Sequence, residues 1–318
     1  MEAQLPCDPT APSARIVATI GPPDSTAYEH LEEILGCGTI RINLAFAGPE
    51  RYEELRQLVR RIRERGGNKI CILLDCVGPR VKLGALPREG VQLREGAEIT
   101  ITTRDVAASE ALIPTVFEPL ATMVSVGQPI LLAEGRMRLE ITASDGVSEV
   151  TCRVTRGGLL KKRGINLPET DLPIPALSER DRADLDALLD EEVDMIALSF
   201  VRSVEDVRML RTYLCERGRR DVRIMAKIET RQAVAEIDEI AAQCDALMVA
   251  RGDLWAELEN PWSLPRVTTR IIQAGNRIGI PVMTATQTLS SMTERDMPSR
   301  SRRALLPPPR GLGRDHGL

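Results

Sequence analysis

Only two histidines, His30 and His316, occur in 318 residues, and aromatic residues make up 3% of the chain. The first scarcity removes most histidine-dependent chemistry: a Ser-His-Asp triad would have to use one of these two, and an HExxH zinc site cannot be written. The second, with a net charge of −4, argues against nucleic acid as a partner, whose binders offer a basic face and stacking rings. No run approaches the roughly 18 apolar residues of a membrane helix, and Met1–Ala14 is polar, without the apolar centre of a signal peptide. None of the seven cysteines, at positions 7, 37, 71, 76, 152, 215 and 244, forms a CxxC pair. They read as reduced, mostly buried thiols of a cytoplasmic protein. Neither a GxGxxG turn nor a GxxxxGK[ST] loop is present, so any bound phosphate must be held by side chains and helix ends.

What is present is a hydrophobic fraction of 43%, enough for a sizeable core, and a length that allows about two domains. Short apolar runs alternate with amphipathic stretches. Arg15–Ile20 predicts a strand, ended by Gly21-Pro22-Pro23, and Ser25 caps a helix running to about Cys37. Thr39–Leu44 and Lys69–Asp75 predict further strands, separated by a helix that opens at Pro49. Apolar strands alternating with helices mean a parallel sheet covered on both faces. From Ala85 to Leu167 the rhythm becomes strand-like alternation with a hairpin signal at Asp145-Gly146 and no helical unit, an inserted all-β module. From Pro168 the βα rhythm resumes, with strands expected at Met195–Ser199, Arg223–Ile228, Ala246–Ala250 and Pro281–Ala285. Seven such strands point to an α/β fold, a (β/α)8-type TIM barrel one unit short of its eight, with an all-β domain inserted after strand three; an open doubly wound sheet is the alternative. The expected division is a flexible N-terminus (1–14), a first barrel segment (15–84), the β insert as a lid (85–167), a second barrel segment (168–300) and an unstructured basic tail (301–318).

A barrel of this kind carries its active site at the C-terminal ends of its strands. Those ends read Arg41-Ile-Asn43, Asp75, Ser199-Phe200-Val-Arg202, Lys227-Ile-Glu229, Arg251-Gly252-Asp253 and Thr284-Ala-Thr286-Gln287. Glu229 and Asp253 on neighbouring strands suit Mg²⁺, which takes one or two carboxylates and completes its shell with water and substrate. Lys227 beside them would stabilise a phosphoryl group or an enolate, and Arg41 offers a fork for phosphate. Gly252 lets backbone N–H groups approach an anionic carboxylate. A Lys-x-Glu pair on a strand is most often an exposed ion pair, but this one closes an apolar parallel strand.

These residues match a known pattern. The chain resembles pyruvate kinases over about Arg15 to Arg300, in the segments Ala18-Thr-Ile-Gly-Pro22, Arg41-Ile-Asn43, Leu74-Asp75 with Gly78-Pro79, Gly164-Ile-Asn-Leu-Pro168, Ala197-Leu-Ser-Phe-Val-Arg202, Ala226-Lys-Ile-Glu229, Met248-Val-Ala-Arg-Gly-Asp-Leu254 and Thr284-Ala-Thr-Gln287. The resemblance implies phosphoryl transfer between phosphoenolpyruvate and ADP, giving pyruvate and ATP. It implies Lys227, Arg41 and Thr286 as catalytic residues, Thr286 assisting enolate protonation. Glu229 and Asp253 would hold Mg²⁺ or Mn²⁺, and Lys227, Gly252, Asp253 and Thr286 would bind the substrate. Thr19, Pro22, Arg41, Lys82 and Arg163 would touch nucleotide, while Asn43 and Asp75 would be the remnant of a K⁺ site. A homo-oligomer is left open.

Four departures stand out. Ala45 replaces a serine that binds K⁺, and Phe46 a histidine near the nucleotide. Arg80 stands where K⁺-dependent members carry glutamate, so a fixed charge is expected to make K⁺ dispensable. Trp255 occupies a position that is normally glycine, where an indole either crowds the carboxylate-binding turn or points outward. After Pro298-Ser-Arg300 the resemblance stops, and a tail with four arginines to one aspartate begins. The departures keep two alternatives in play: a Mg²⁺-dependent aldolase or lyase on the same type of barrel, and an inactive truncated fragment. A frameshift at the tail is expected to leave a further barrel-strand motif in one of the other two reading frames past the Arg300 codon; translating them and finding none counts against it.

Overall fold

The structure, a computed structural model, describes residues 16–22, 30–170, 174–258 and 260–286. The N-terminus, the Ser25 cap, Gln287 and the basic tail fall outside them. The chain first forms β1 (Val17–Ile20), α1 (Leu31–Leu35), β2 (Thr39–Asn43), α2 (Tyr52–Gly66) and β3 (Cys71–Asp75). The insert supplies β4 (Val81–Lys82), β5 (Val91–Leu93), β6 (Glu98–Thr102), β7 (Leu112–Pro114), α3 (Leu120–Met123), β8 (Pro129–Leu132), β9 (Met137–Ser144), β10 (Glu149–Arg156), β11 (Gly158–Leu160) and β12 (Gly164–Asn166). There follow α4 (Glu179–Leu188), β13 (Met195–Leu198), α5 (Val204–Glu216), β14 (Arg223–Ile228), α6 (Arg231–Ala235), α7 (Ile237–Ala241), β15 (Ala246–Ala250), α8 (Arg251–Glu257), α9 (Leu264–Ile278) and β16 (Val282–Ala285).

One sheet runs β1-β2-β3-β13-β14-β15-β16, parallel at every junction. Its spatial order follows chain order without the reversal of a doubly wound sheet. It is a curled, seven-stranded portion of a (β/α)8-type barrel, and among the described residues no eighth strand joins β16 to β1. Side-chain alternation sorts each strand between two cores. Ile72 and Leu74 pack under the helices, whereas Leu73 faces inward with Met195, Ala197, Met225, Ala246 and Met248. Each such fully buried Ile or Leu contributes roughly 1.5–3 kcal/mol of transfer free energy.

The second sheet runs β4-β12-β8-β9-β10-β6-β7, with β11 and β5 paired beside it. It has its own apolar core, built from residues such as Ile101, Leu132, Leu139 and Val150. It reaches back to Val81 rather than starting at Ala85, because Val81 and Lys82 pair antiparallel with Ile165 and Gly164. Alternation also hid α3, a single turn burying Leu120 and Ala121. The Asp145-Gly146 signal does make the β9–β10 hairpin, but over a longer loop than two residues. The Asp145 carboxylate accepts the N–H groups of Val147, Ser148 and Glu149, each at 2.8 Å, which lowers its pKa to about 2. In the barrel, the stretch around Val234, Ile237 and Ile240 is two short helices that break at Glu236 (φ −96°, ψ 23°). Six of the cysteines are described, all as free thiols; Cys76, Cys152 and Cys244 are buried and Cys37, Cys71 and Cys215 half-buried. No described helix is long and apolar enough to cross a membrane.

Ser178 and Asp181 form a capping box at the start of α4. Asp181 does more than cap. Its fully buried carboxylate also accepts the N–H of Val77 at 2.8 Å and of Gly78 at 3.1 Å, fixing the turn that leaves β3. Asp181→Ala removes the carboxylate half of the capping box, leaving the Ser178 cap, and strands both amides. It is expected to destabilise the protein by about 3 kcal/mol, read as a lower urea midpoint with unchanged m-value; a loss below about 1 kcal/mol would show that the turn holds itself.

Candidate active site

Strand alternation brings the predicted residues to one rim. On β2, Ile40 and Ile42 belong to the outer core, so Thr39, Arg41 and Asn43 face inward. Register places Thr19 beside Arg41, Asn43 beside Asp75, and Asp75 beside Ala197. On β14, Ile224, Ala226 and Ile228 face the helices, which turns Lys227 inward above Met225.

Lys227 is the centre of this rim. The residue is 6% exposed, and its ammonium donates to Ser199 Oγ at 2.6 Å. It lies 3.1 Å from Asp75 Oδ1 and 3.3 Å from Glu229 Oε1. Burial opposes its charge, but the Glu229 and Asp75 carboxylates outweigh it, and the group titrates above the ordinary lysine value. Each neighbour is itself fixed. Ser199 Oγ donates to Cys76 O at 2.7 Å, and Glu229 Oε2 accepts the Phe200 N–H at 2.7 Å. Asp75 Oδ2 accepts Arg41 Nε at 2.6 Å, and a second Arg41 nitrogen pairs with the same oxygen. Asp75 Oδ1 takes no aligned hydrogen bond, so its contact with Lys227 is an ion pair alone. Arg41 also donates to Thr19 Oγ1 at 3.1 Å. Removing one partner from such a buried set leaves an uncompensated charge, at a cost of about 3–5 kcal/mol.

Gly78 lets this packing close. Its φ is +71°, and a Cβ there would fall 2.8 Å from Ser199 Cβ. The other half of the rim is α8, which begins directly after β15 and which periodicity did not reveal. Thr286, itself left-handed at φ +64°, accepts the Gly252 N–H on Oγ1 at 3.0 Å. Arg251 holds Thr286 in place by donating to Ala285 O at 3.1 Å and Thr286 O at 2.6 Å. The Gly252 N–H is therefore committed to Thr286 in this arrangement. Asp253 keeps a quarter of its side chain exposed and has Arg80 at 4.0 Å. Arg80 also lies over the Phe200 ring, 5.5 Å from its centroid. Its charge thus faces the Asp253 side of the rim, and that of Asp75 is met by Arg41 and Lys227.

Burial raises the Glu229 carboxyl; Lys227 opposes this and Asp253 reinforces it. The two carboxylates sense each other across a gap that a cation would neutralise. No cluster of three or more His, Cys, Asp or Glu side chains comes together among the described residues. A two-carboxylate donor set fits Mg²⁺, which keeps water and substrate oxygens in its shell, better than a metal needing a full protein cage. Asn43 Oδ1 accepts the Ala45 N–H at 3.1 Å and so serves as a local cap.

The remaining predicted contacts lie at the edge of the cleft. Pro22 closes β1 near Thr19. Lys82 and Arg163 meet at the β4–β12 pair, where Arg163 donates to Leu83 O at 2.8 Å. Burial and the charges of Arg180, Arg80 and Arg163 lower the Lys82 pKa, which marks a basic cluster suited to phosphate oxygens. Sequence reading left Arg180 out; a lone arginine on an exposed helix turn carries no signal. It places Ser199 at a strand end without giving it a role, and leaves out the pair Asn166–Glu257.

Glu257 is buried, accepts Asn166 Nδ2 at 3.1 Å, and is raised from an ordinary 4.5 to about 7, chiefly by desolvation. A carboxyl whose folded pKa is raised favours the folded state fully below the unfolded value and loses that contribution as pH rises through the folded one. Glu257→Gln is therefore expected to flatten the fall in stability between about pH 4.5 and pH 7, a difference of order 3 kcal/mol. Urea unfolding in metal-free buffer across that window measures it, and parallel curves for parent and variant would contradict it.

Comparison with known proteins bears on the same residues. Residues 11–304 match the family described as pyruvate kinase, barrel domain. A pyruvate kinase of Geobacillus stearothermophilus is 36% identical over 291 residues, covering 90% of this chain and 49% of the relative. One from Thermococcus litoralis is 36% identical over 290 residues, with 90% and 60% covered, and one from Thermotoga maritima 33% over 291, with 91% and 62% covered. The chain spans about half to three fifths of the length of these relatives. By the match that takes in all its strands, β insert included, the chain belongs to the pyruvate kinase family.

Proposed function

We propose that the protein transfers a phosphoryl group between phosphoenolpyruvate and ADP, giving pyruvate and ATP. The observation that carries this reading is the buried Lys227 ammonium, set between Asp75 and Glu229 on a rim that also presents Arg41 and Asp253. Phosphoryl transfer asks of a protein mainly positioning and charge neutralisation, and this rim supplies both. The β insert standing over the strand ends favours a nucleotide-dependent reaction over an aldolase, which has no second large substrate to cover.

In the proposed step the P–O bond of phosphoenolpyruvate breaks as a bond forms to the terminal oxygen of ADP. The enolate left behind takes a proton at its methylene carbon. Lys227 faces both sites of charge, the phosphoryl oxygens and the enolate oxygen, and its two carboxylates keep it ionised. Arg41, anchored by Asp75 and Thr19, would offer phosphate the N–H groups those partners leave over. Thr286 Oγ1 accepts from Gly252, which leaves its own hydroxyl proton to orient a water or donate toward the carbon. Lys82 and Arg163 suit the nucleotide phosphates. Mg²⁺ or Mn²⁺, held by Glu229 and Asp253, would neutralise phosphoryl and carboxylate charge when bound.

We further infer that K⁺ is not required. Asp75 already has two cationic partners, and Asn43 spends its carbonyl oxygen on the loop.

Lys227→Met is expected to lower ATP formation from phosphoenolpyruvate and ADP by at least about 10³-fold, the scale for losing a preorganised charge stabiliser; a variant retaining more than a tenth of the parent rate would overturn the assignment. Adding K⁺ to a K⁺-free, Mg²⁺-containing assay is expected to change the parent rate less than about twofold, since Arg41 and Lys227 already neutralise Asp75. Strong stimulation would refute that second point alone.

A further inference from the structure

The β8–β9 turn of the insert has three consecutive left-handed residues, Ala133 (φ 51°), Glu134 (φ 60°) and Gly135 (φ 77°). Two of them carry a Cβ, so the conformation is strained and persists only where its surroundings hold it. On the insert's side, Arg156 donates to Gly135 O and Lys162 donates to Glu134 Oε1. On the barrel's side the turn meets α8. A Cβ placed on Gly135 would lie 3.0 Å from Trp255 Cζ3 and 3.0 Å from Ala256 Cβ. Gly135 is buried against them, and Trp255 is half-buried. The indole therefore does not enter the strand-end rim. Beside it a cavity of about 250 Å³ opens between insert and barrel, walled by Arg138 and Arg156 from one and by Arg231, Trp255 and Glu257 from the other.

The rest of the connection is slight. Insert and barrel are joined covalently through β4 and β12, a pair only two residues long, and Asn166 reaches Glu257 close to that hinge. The turn on the indole lies beside that hinge, since Leu132 at its start pairs with Ile165 of β12, so the contact braces the insert where it joins the barrel. A large rigid ring under a glycine fixes a distance, since neither partner has a flexible end that can yield.

We propose that Trp255 is a positioning residue, the seat on which the Ala133–Gly135 turn rests, and that it sets the height of the insert above the Lys227, Glu229 and Asp253 rim. As positioning for catalysis this rests on the phosphoryl-transfer reading; the contact itself does not.

The test uses the full chain and its free form first. Trp255→Gly is expected to raise amide exchange about tenfold or more in the 133–138 turn and in the 81–83 and 163–166 hinge strands, with β2, β3 and β13–β15 unchanged, as for a local rather than a global opening. Exchange that stays at the parent level, or rises equally in the parallel sheet, overturns the seat. Should that variant fail to fold, Gly135→Ala and Gly146→Ala are compared in a Trp262→Phe background, where Trp255 is the sole indole. Both glycines have positive φ, but a Cβ on Gly146 meets nothing within 4 Å. Only Gly135→Ala is expected to shift the Trp255 emission, and equal effects from the two overturn the contact. In turnover, Trp255→Gly is expected to raise the KM for ADP about fivefold with kcat within about threefold, the signature of lost binding geometry; unchanged constants alongside raised exchange overturn the positioning role. A parent without turnover contradicts the phosphoryl-transfer reading and with it the positioning role, leaving the contact to be judged by exchange and emission.

Discussion

A single buried ammonium organises the site. Lys227 sits in the sheet's inner face with almost no access to water, and a charge there is tolerated only because Asp75 and Glu229 flank it. Those carboxylates impose further requirements. Asp75 needs Arg41 on its second oxygen, Arg41 is steadied by Thr19, and Glu229 needs the Phe200 amide. The Phe200 amide is presented by a residue at φ +52°. The strands β1, β2, β3, β13 and β14 are thus tied together at their C-terminal ends by one electrostatic chain, independently of their apolar packing.

Support for that chain comes from outside the rim. Asp181, at the start of α4, holds the backbone of the turn leaving β3. That turn brings Gly78 against Ser199, and Ser199 receives the Lys227 hydrogen bond. The same turn leads directly into β4, the first strand of the insert. Position of the insert and position of the ammonium therefore share one short backbone segment. On the opposite side, Arg251 and Thr286 lock β16 to α8, and α8 carries both Asp253 and the indole that meets the insert. Two short segments connect the chemistry to the β module.

The sequence made the parallel sheet legible because its strands are nearly continuous apolar runs bounded by glycine, proline and helix caps. The site was legible for a related reason: charged residues such as Lys227 and Asp75 end runs that are otherwise apolar, and the i, i+2 rule puts Arg41 with Asn43, and Lys227 with Glu229, on one face. What escaped was short or non-periodic. The helix α3 spans four residues, too few to show a period, and α8 follows its strand without any breaker. Partnerships across long sequence separations, such as Asp181 with Gly78, Glu257 with Asn166, and Trp255 with Gly135, leave no local trace; the last two arise only because the insert packs against the barrel. Of the two orientations open to Trp255, crowding the rim or pointing away from it, the indole takes the second and meets the Gly135 turn of the insert.

The charge state of Lys227 is the quantity on which this account depends. The chain has five lysines, at positions 69, 82, 161, 162 and 227, so a ¹⁵N-lysine NMR titration of the side-chain nitrogens gives a spectrum simple enough to assign by a single Lys227→Arg control. The account predicts that the Lys227 nitrogen keeps its ammonium shift through the ordinary lysine midpoint of 10.5, while Lys82 deprotonates below it. A Lys227 resonance that converts to the neutral amine at lower pH than the exposed lysines would contradict it, and would mean that burial, not the pair of carboxylates, governs the site.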